Sequence, residues 1–251
     1  MPMPAIENAI LRTILYADVF KFAITLQELH TYLIYHTPVS IETIETALQH
    51  PRLQKFLCIS EGYITLKENS DYIQRRKKRQ ALVDEMQTEA KRYGHWLSRI
   101  PFMRMVALTG ALAADNPAHA GDDIDYLLIT KTGRVWFVRA IAVIMVRVVR
   151  LRGVEICPNF VLSEEQLQQK RQDLYIAREL VQMQPLYGQP AYEAMWQENN
   201  WLRDYMPNAS LRKMPDIQQS GSLKTLLEKL LSGKIGDMLD TLEYRRKSHQ
   251  F

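Results

Sequence analysis

The chain has 251 residues, of which 47% are hydrophobic and 24% are charged, and its formal net charge at pH 7 is +4. These values fit a globular protein of one large or two small domains and exclude a disordered chain, a collagenous chain and a disulfide-dense scaffold. The two cysteines, Cys58 and Cys157, lack metal-ligand spacing and indicate a reducing compartment, so we expect a cytoplasmic protein.

Neither a secretory leader nor a membrane span is expected. Residues 1–10 lack the basic and then apolar pattern of a leader. The most apolar stretch, Val135 to Val149, contains Arg139 and Arg147 and is shorter than the roughly 20 residues that a span needs. We expect a buried helix there and no membrane partner.

The first 68 residues are predicted to form three helices and a hairpin, an order that resembles a winged helix. Helical spacing, an N-cap serine and two apolar runs joined by a turn predict helices at Ala5 to about Ala23, Leu26 to Tyr35 and Ile41 to Gln49, and a hairpin at FLCIS and YITLK. In winged helices that bind DNA, the third helix enters the groove. Here it carries Glu42 and Glu45 and no Lys or Arg, so packing or protein contact is favoured over nucleic-acid binding.

Residues 69–100 are predicted to form a long connecting helix, because the segment is polar and free of Gly and Pro until Gly94. Its sharpest feature is the basic run Arg75 to Arg79. Five consecutive residues of a helix are spread around its axis and do not form one basic face. A solvated helix surface is therefore favoured over a nucleic-acid-binding patch.

The chemistry is predicted to lie in residues 101–165. A strand from Met103 ends in a small-residue turn at Gly110, and Asp123 and Asp125 stand at the head of a second apolar strand. Residues i and i+2 of a strand face the same way, so the two carboxylates project together. A divalent cation relieves their repulsion. The alternative is a surface turn, which the buried strand that follows disfavours.

These residues resemble the nucleotidyltransferase superfamily that includes DNA polymerase beta and the minimal nucleotidyltransferases. That family has a strand ending in Gly-Ser, roughly ten further residues, Asp-x-Asp on the next strand and a third carboxylate on a neighbouring strand. Here Gly110-Ala111 stands at the Gly-Ser position and Asp123-x-Asp125 at the carboxylate pair, within LTGALAADNPAHAGDDIDYLLIT.

The resemblance implies a site for Mg²⁺ or Mn²⁺ and for a nucleoside triphosphate such as ATP. Asp123 and Asp125 would bind the metal, and Gly110 would let the backbone approach the triphosphate. Ala111 replaces the family's serine, so one hydrogen bond of about 1 kcal/mol is missing unless Thr109 supplies it.

The third metal-binding position has two candidates in the predicted strand Val154 to Leu162. Alternation places Glu155, Cys157 and Asn159 on one face. The match of Val-Glu-Ile to the family's third motif favours Glu155 as the catalytic carboxylate and leaves Asn159 as the alternative. Pro158 indicates an edge strand or a bulge that could shift the register.

Residues 166–251 are predicted to be helical, beginning with a helix capped by Ser163, followed by a polar linker at Ala209 to Ser222 and an amphipathic helix pair. The stripe of that pair, listed as Leu223, Leu226, Leu227, Leu230 and Leu231, requires a partner, either the body of the protein or a second copy of the chain.

The sequence therefore predicts an α+β protein with an N-terminal winged-helix-like domain, a small mixed-sheet nucleotidyltransferase core and a helical C-terminal region. The first functional hypothesis is a magnesium-dependent enzyme that moves a nucleoside monophosphate from a nucleoside triphosphate to an acceptor hydroxyl. The second is a non-catalytic nucleotide-binding or winged-helix scaffold protein with a degenerate core.

Overall fold

The computed structural model describes residues 4–214 and 222–248, which have an α+β fold. They divide into two compact units, one made of residues 4–81, Gln169–Val181 and Asn200–Leu211, the other of Leu82–Gln168, Gln182–Asn199 and the described residues from Arg212 onward. Each unit gathers segments that are distant in sequence, whereas the sequence prediction used four consecutive segments. None of the described helices is both long enough and apolar enough to cross a bilayer.

The N-terminal elements of the first unit are α1 (Ala5–Val19), β1 (Ile24–Thr25), α2 (Leu26–Thr31), α3 (Ile41–Leu48), α4 (Pro51–Gln54), β2 (Leu57–Ser60) and β3 (Tyr63–Leu66). The three predicted helices and the hairpin are confirmed, and Ser40 caps α3 by accepting a hydrogen bond from the Thr43 N–H at 3.3 Å. Glu61 and Gly62 have φ values of 53° and 82°, which suit a two-residue hairpin turn. The sequence did not predict β1, which joins the hairpin in a three-stranded sheet of order β1-β3-β2.

The long helix is confirmed as α5 (Asp71–Ser98). Within its basic run, Arg76 is only 9% exposed. Its guanidinium donates to both carboxylate oxygens of Glu28 at 2.7 Å and to the Ala23 carbonyl, and it lies 4.1 Å from the Phe22 ring centroid. One residue of the run is therefore an internal structural group, which the interpretation as a solvated surface missed.

From the end of α5 the chain continues as β4 (Met103–Leu108), α6 (Gly110–Ala113), β5 (Ile124–Thr130), α7 (Val135–Arg150), β6 (Ile156–Ser163), α8 (Leu174–Gln182), β7 (Gln184–Tyr187), α9 (Gln189–Glu198), α10 (Ser222–Leu231) and α11 (Lys234–Ser248). The second unit contains a four-stranded sheet of order β6-β5-β4-β7. β4 pairs antiparallel with β5 and β7, and β5 pairs parallel with β6. α7 is the crossover that this parallel pair requires.

Strand β5 runs through the interior of the second unit. Tyr126 and Leu128 have no solvent exposure, and the Tyr126 hydroxyl donates to the Ala90 carbonyl at 2.7 Å. This buried strand fixes the position of the residues at its N-terminal end, where the aspartates lie.

The predicted helix start at Ser163 is wrong, and the region 166–251, predicted as helical, also contains a strand. Ser163 is the last residue of β6, and the N-terminus of α8 is capped instead by Asp173, whose carboxylate accepts from the Ile176 N–H at 3.0 Å. Gln184–Tyr187 forms β7, an edge strand on which Pro185 is tolerated. Residues 184–187 form a strand because they pair with β4, and their own sequence pattern does not predict one.

The remainder of that region is helical where it is described. The C-terminal helix pair is confirmed as α10 and α11, which are separated at Ser232 and Gly233. The predicted linker Ala209 to Ser222 lies partly outside the described residues, because 215–221 are not among them.

Candidate metal centre

Three side chains meet at one end of the neighbouring strands β5 and β6 of the second unit. Asp123 immediately precedes β5, Asp125 is the second residue of β5, and Cys157 is the second residue of β6. Asp125 and Cys157 are Cα partners in the parallel pairing. One donor atom from each of the three lies within 4.8 Å of the others, so the two carboxylates converge as their i, i+2 spacing predicts.

The turn after β4 is fitted closely to Asp125. Gly110 has a φ of +67°, and a Cβ added there would lie 3.1 Å from the carboxyl carbon of Asp125, with one carboxylate oxygen closer still. The N–H of Thr109 donates to the backbone carbonyl of Asp125 at 2.9 Å. The backbone conformation and the close contact both require glycine at this position.

Burial and the neighbouring carboxylates disfavour the ionised forms of Asp125 and Cys157. Burial, followed by the charge of Asp123, raises the pKa of Asp125 to about 6, although a hydrogen bond from Cys157 opposes the rise. Burial, followed by the charges of Asp125 and Asp123, raises the pKa of the Cys157 thiol to about 11. At pH 7 the thiol is therefore protonated. The negative charges of the two neighbouring carboxylates repel each other, and a bound cation would relieve that repulsion.

Glu155, the favoured third carboxylate, is not brought into this group. It precedes β6, its side chain is about half exposed, and it forms an ion pair with Arg150 at the end of α7. Its backbone carbonyl accepts from the N–H of Ile124 at 2.9 Å, which holds the start of β6 beside β5. Glu155 thus contributes to the site through its main chain.

The alternative position, Asn159, is displaced by a bulge. Tyr126 pairs with Pro158 and Leu127 with Phe160, so Asn159 has no Cα partner in β5 and is exposed. β6 is an edge strand, as Pro158 indicated, because proline cannot donate to the ladder. The third position beside the aspartates therefore belongs to Cys157, which the alternation pattern placed on the same face but which is not a carboxylate.

No family model, curated protein or solved structure matches the chain.

The predicted phosphate-binding residues occupy the turn, but with different exposure. Ala111 is exposed, whereas Thr109 is only 5% exposed and its hydroxyl has no hydrogen-bond partner among the described residues. In this conformation the Thr109 hydroxyl is closed off from solvent and does not replace the missing serine at the surface.

The donor set fits a hard divalent cation. Two carboxylates offer the oxygen ligands that Mg²⁺ and Mn²⁺ prefer, and the protonated thiol is a weak ligand for either ion. The absence of a side chain at Gly110 leaves the space in which the Asp125 carboxylate lies against the turn.

Proposed function

We propose that the chain is a divalent-cation-dependent nucleotidyltransferase that transfers a nucleoside monophosphate from a nucleoside triphosphate to an acceptor hydroxyl. The observation that carries the proposal is the convergence of Asp123 and Asp125 beside a glycine turn against which the Asp125 carboxylate packs. Mg²⁺ or Mn²⁺ is the proposed metal, and the proposed donors are ATP and the other nucleoside triphosphates.

The topology of the second unit supports a nucleotidyltransferase-like core. β4, the Gly110-Ala111 turn, β5 with its aspartates, the crossover helix α7 and β6 follow one another in the order that the resemblance implies. The order α1, β1, α2, α3, β2, β3, with the one-turn helix α4 between α3 and β2, likewise supports a winged-helix-like N-terminal module.

Each residue of the site has a defined role in this proposal. Asp123 and Asp125 would hold the metal, and the triphosphate would lie against the turn at Gly110 and the exposed Ala111. Bound divalent cations supply the positive charge that stabilises the attacking and leaving oxygens at the α-phosphorus. The ion pair of Arg150 with Glu155 keeps the start of β6 in place.

One observation favours a second candidate function, nucleotide binding without turnover. The position that the resemblance gives to a third carboxylate is taken by the thiol of Cys157, whose raised pKa keeps it protonated at pH 7. A protonated thiol neither binds a hard cation strongly nor accepts a proton from the acceptor hydroxyl. In this role the chain would be a nucleotide-binding or scaffold protein.

Calorimetric titration tests metal-dependent nucleotide binding, which both candidate functions require. The wild type, Asp123→Asn, Asp125→Asn and the control Asp204→Asn are titrated with ATP, GTP, CTP and UTP in the presence of Mg²⁺, and then of Mn²⁺. We expect binding by the wild type and the control, and at least ~10-fold weaker binding by the two site variants, because each loses a charged metal ligand. Equal binding by all four proteins would rule out both functions.

Label transfer from α-³²P nucleoside triphosphates separates the two functions. The acceptors offered are an RNA oligonucleotide, a protein, an aminoglycoside and a hexose, since each presents hydroxyl groups. Transfer by the wild type that is lost in Asp125→Asn supports the enzyme, whereas binding without transfer supports the second candidate.

Cys157→Asp provides a further discriminating variant. An aspartate there restores a third carboxylate next to Asp125. If the site is degenerate only at this position, Cys157→Asp gains transfer activity while Cys157→Ser does not. Activity that is already present in the wild type and unchanged in Cys157→Ser would show that the thiol plays no part.

The N-terminal module is proposed to serve in protein contact or packing. The exposed residues of α3 include Glu42 and Glu45, which repel a phosphate backbone. Within the described basic run, Arg76 is committed to Glu28 and Lys77 to Glu61. These pairings leave less positive charge for nucleic acid than the sequence suggested.

A further inference from the structure

Helix α10 packs with Lys224 and Glu228 inward and with three of its five leucines outward, while Leu227 and Leu231 are half-buried. Lys224 is buried, and its Nζ donates to the carbonyls of Ser98 and Met103, both at 2.9 Å, and to the Tyr187 hydroxyl at 3.1 Å. Such an arrangement reverses the usual orientation of an amphipathic surface helix.

A second anchor lies one turn further along the helix. The Glu228 carboxylate accepts from the Phe102 N–H at 2.7 Å and from Arg104 at 3.2 Å. On the opposite side, the leucines at 223, 226 and 230 are 67%, 54% and 63% exposed. The polar contacts fix the rotation of α10, so these leucines cannot turn inward without breaking buried hydrogen bonds.

Helix α11 repeats the pattern. Asp237 pairs with Arg134 at 2.7 Å, and Asp240 accepts from the N–H of Phe137 at 2.9 Å, so the acidic side of α11 faces α7. The apolar residues left in solvent, each more than half exposed, are Ile235, Met238 and Leu242. The six exposed apolar residues of α10 and α11 are called the C-terminal apolar face below.

The exposed charge around this face is mainly positive, although the side chain of Asp237, which pairs with Arg134, is 65% exposed. The acidic residues of the two helices are engaged, Glu228 and Asp237 as above, Asp240 with the backbone and Glu243 with Arg246. The basic residues Lys229, Lys234 and Arg245 are exposed and have no side-chain partner among the described residues. The occupant of the face should therefore be apolar and anionic.

A second copy of the chain does not meet that requirement. A two-fold dimer places a surface against itself, so the same cations would be brought together, and the exposed carboxylate of Asp237 is already paired with Arg134. Amphipathic helices with Leu, Ile and Met on one side and flanking Lys and Arg bind the interface of anionic bilayers, where acyl chains take the apolar residues and headgroups take the cations.

We propose that the C-terminal apolar face binds an anionic lipid surface. The helices lie along the interface and do not cross it, in agreement with the lack of a bilayer-spanning helix among the described residues. The sequence expectation of no membrane partner considered a spanning segment, and peripheral binding through surface helices does not need one. The proposal is independent of the nucleotidyltransferase site.

Vesicle co-sedimentation of the full chain tests the proposal. The vesicles contain either phosphatidylcholine alone or phosphatidylcholine with phosphatidylserine. The variants are Leu226→Glu/Leu230→Glu for the apolar contribution and Lys229→Glu/Lys234→Glu for the charge. The controls are Leu15→Glu, a leucine on α1 that is 46% exposed, and Lys78→Glu, an exposed lysine on α5. Circular dichroism confirms that each variant retains the helical content of the wild type.

We expect the wild type and both controls to bind phosphatidylserine vesicles, with weaker binding as salt concentration rises. The leucine variant should partition at least ~10-fold less, since it loses two apolar side chains from the interface. The lysine variant should lose most of its preference for phosphatidylserine. A wild type that does not bind phosphatidylserine vesicles, or a leucine variant that binds as the wild type does, overturns the proposal.

Sedimentation velocity without lipid supplies a second way for the proposal to fail. A wild-type dimer that becomes monomeric in Leu226→Glu/Leu230→Glu would show that a second copy covers the face. A monomeric wild type supports the lipid surface as the occupant.

Discussion

Replacing Asp125 by asparagine should stabilise the protein at neutral pH while removing a ligand of the proposed metal site. The substitution keeps the size of the side chain and removes the charge that burial and Asp123 oppose. Stabilisation by loss of a site residue is expected where function requires an unfavourable arrangement of charge.

The magnitude follows from the raised pKa. A pKa of about 6 in the folded protein, against a usual value of 3.8, corresponds to an upper limit of about 3 kcal/mol. Asp125 is only partly buried, and solvent screening reduces this limit, so we expect a gain of about 1 kcal/mol for Asp125→Asn at pH 7.5.

The pH dependence has a definite sign. The pKa of Asp125 is higher in the folded than in the unfolded protein, so the folded state binds more protons between about pH 4 and pH 6. The wild type therefore loses stability from this group as pH rises through that window. The advantage of Asp125→Asn should be small at pH 4.5 and reach its full value above pH 6.5.

The free energy of unfolding of the second unit is measured by urea unfolding in EDTA, with tryptophan fluorescence as the signal. Three of the four tryptophans, Trp96, Trp136 and Trp196, belong to the unit that contains Asp125. The exposed Asp204→Asn serves as the matched control. Added Mg²⁺ should stabilise the wild type and leave Asp125→Asn unchanged.

A lower stability of Asp125→Asn than of the wild type at pH 7.5 in EDTA would show that the charge of Asp125 does not destabilise the fold. A difference between the two proteins that is the same at pH 4.5 as at pH 7.5 would show the same, since a pH-independent difference cannot come from ionisation of the carboxyl group.

Two further predictions concern backbone fit and the buried ion pair of the first unit. Gly110→Ala should lower thermal stability by about 2 kcal/mol more than Gly133→Ala, because both glycines have positive φ but only a Cβ at 110 meets Asp125. Equal losses in melting experiments would show that the close contact relaxes freely. Glu28→Gln should cost about 2 kcal/mol at pH 7, because Arg76 is left buried without a counter-charge. Burial opposes ionisation of Glu28, but the hydrogen bonds and charge of Arg76 outweigh it and lower the pKa, so this stabilisation is present at neutral pH and disappears as pH falls through the lowered folded value. A Glu28→Gln deficit in urea unfolding that does not shrink on acidification would contradict this assignment.

Patterns within a short stretch of sequence predicted much of the structure. Ser40 at a helix start, Glu61-Gly62 between two apolar runs and the apolar stretch from Val135 each act through neighbouring residues, and the elements that they predict are confirmed. The convergence of Asp123 and Asp125 is of the same kind, because side-chain direction alternates along a single strand. The expectation that the helix from Val135 is buried is wrong, because only Val138, Ala142 and Val149 of α7 are buried and Ile144 and Val148 are exposed.

Features that depend on distant pairing were missed. β7 exists because β4 offers it an edge, and β1 is two residues that pair with β3. Arg76 looks like its basic neighbours in sequence, and only the fold places Glu28 and Phe22 around it. The direction in which α10 faces is set by the partners of Lys224, which lie more than a hundred residues away in sequence.

The sequence by itself determined the aspartate pair and the glycine turn that face a common site, because strand alternation and the conformational freedom of glycine are local properties. The tertiary structure alone decided which residue stands third. The parallel register of β5 and β6 sets Cys157 opposite Asp125, and the bulge after Pro158 removes Asn159 from that register. Register depends on hydrogen bonds between two strands joined by a crossover helix, and a pattern read along one strand does not contain it.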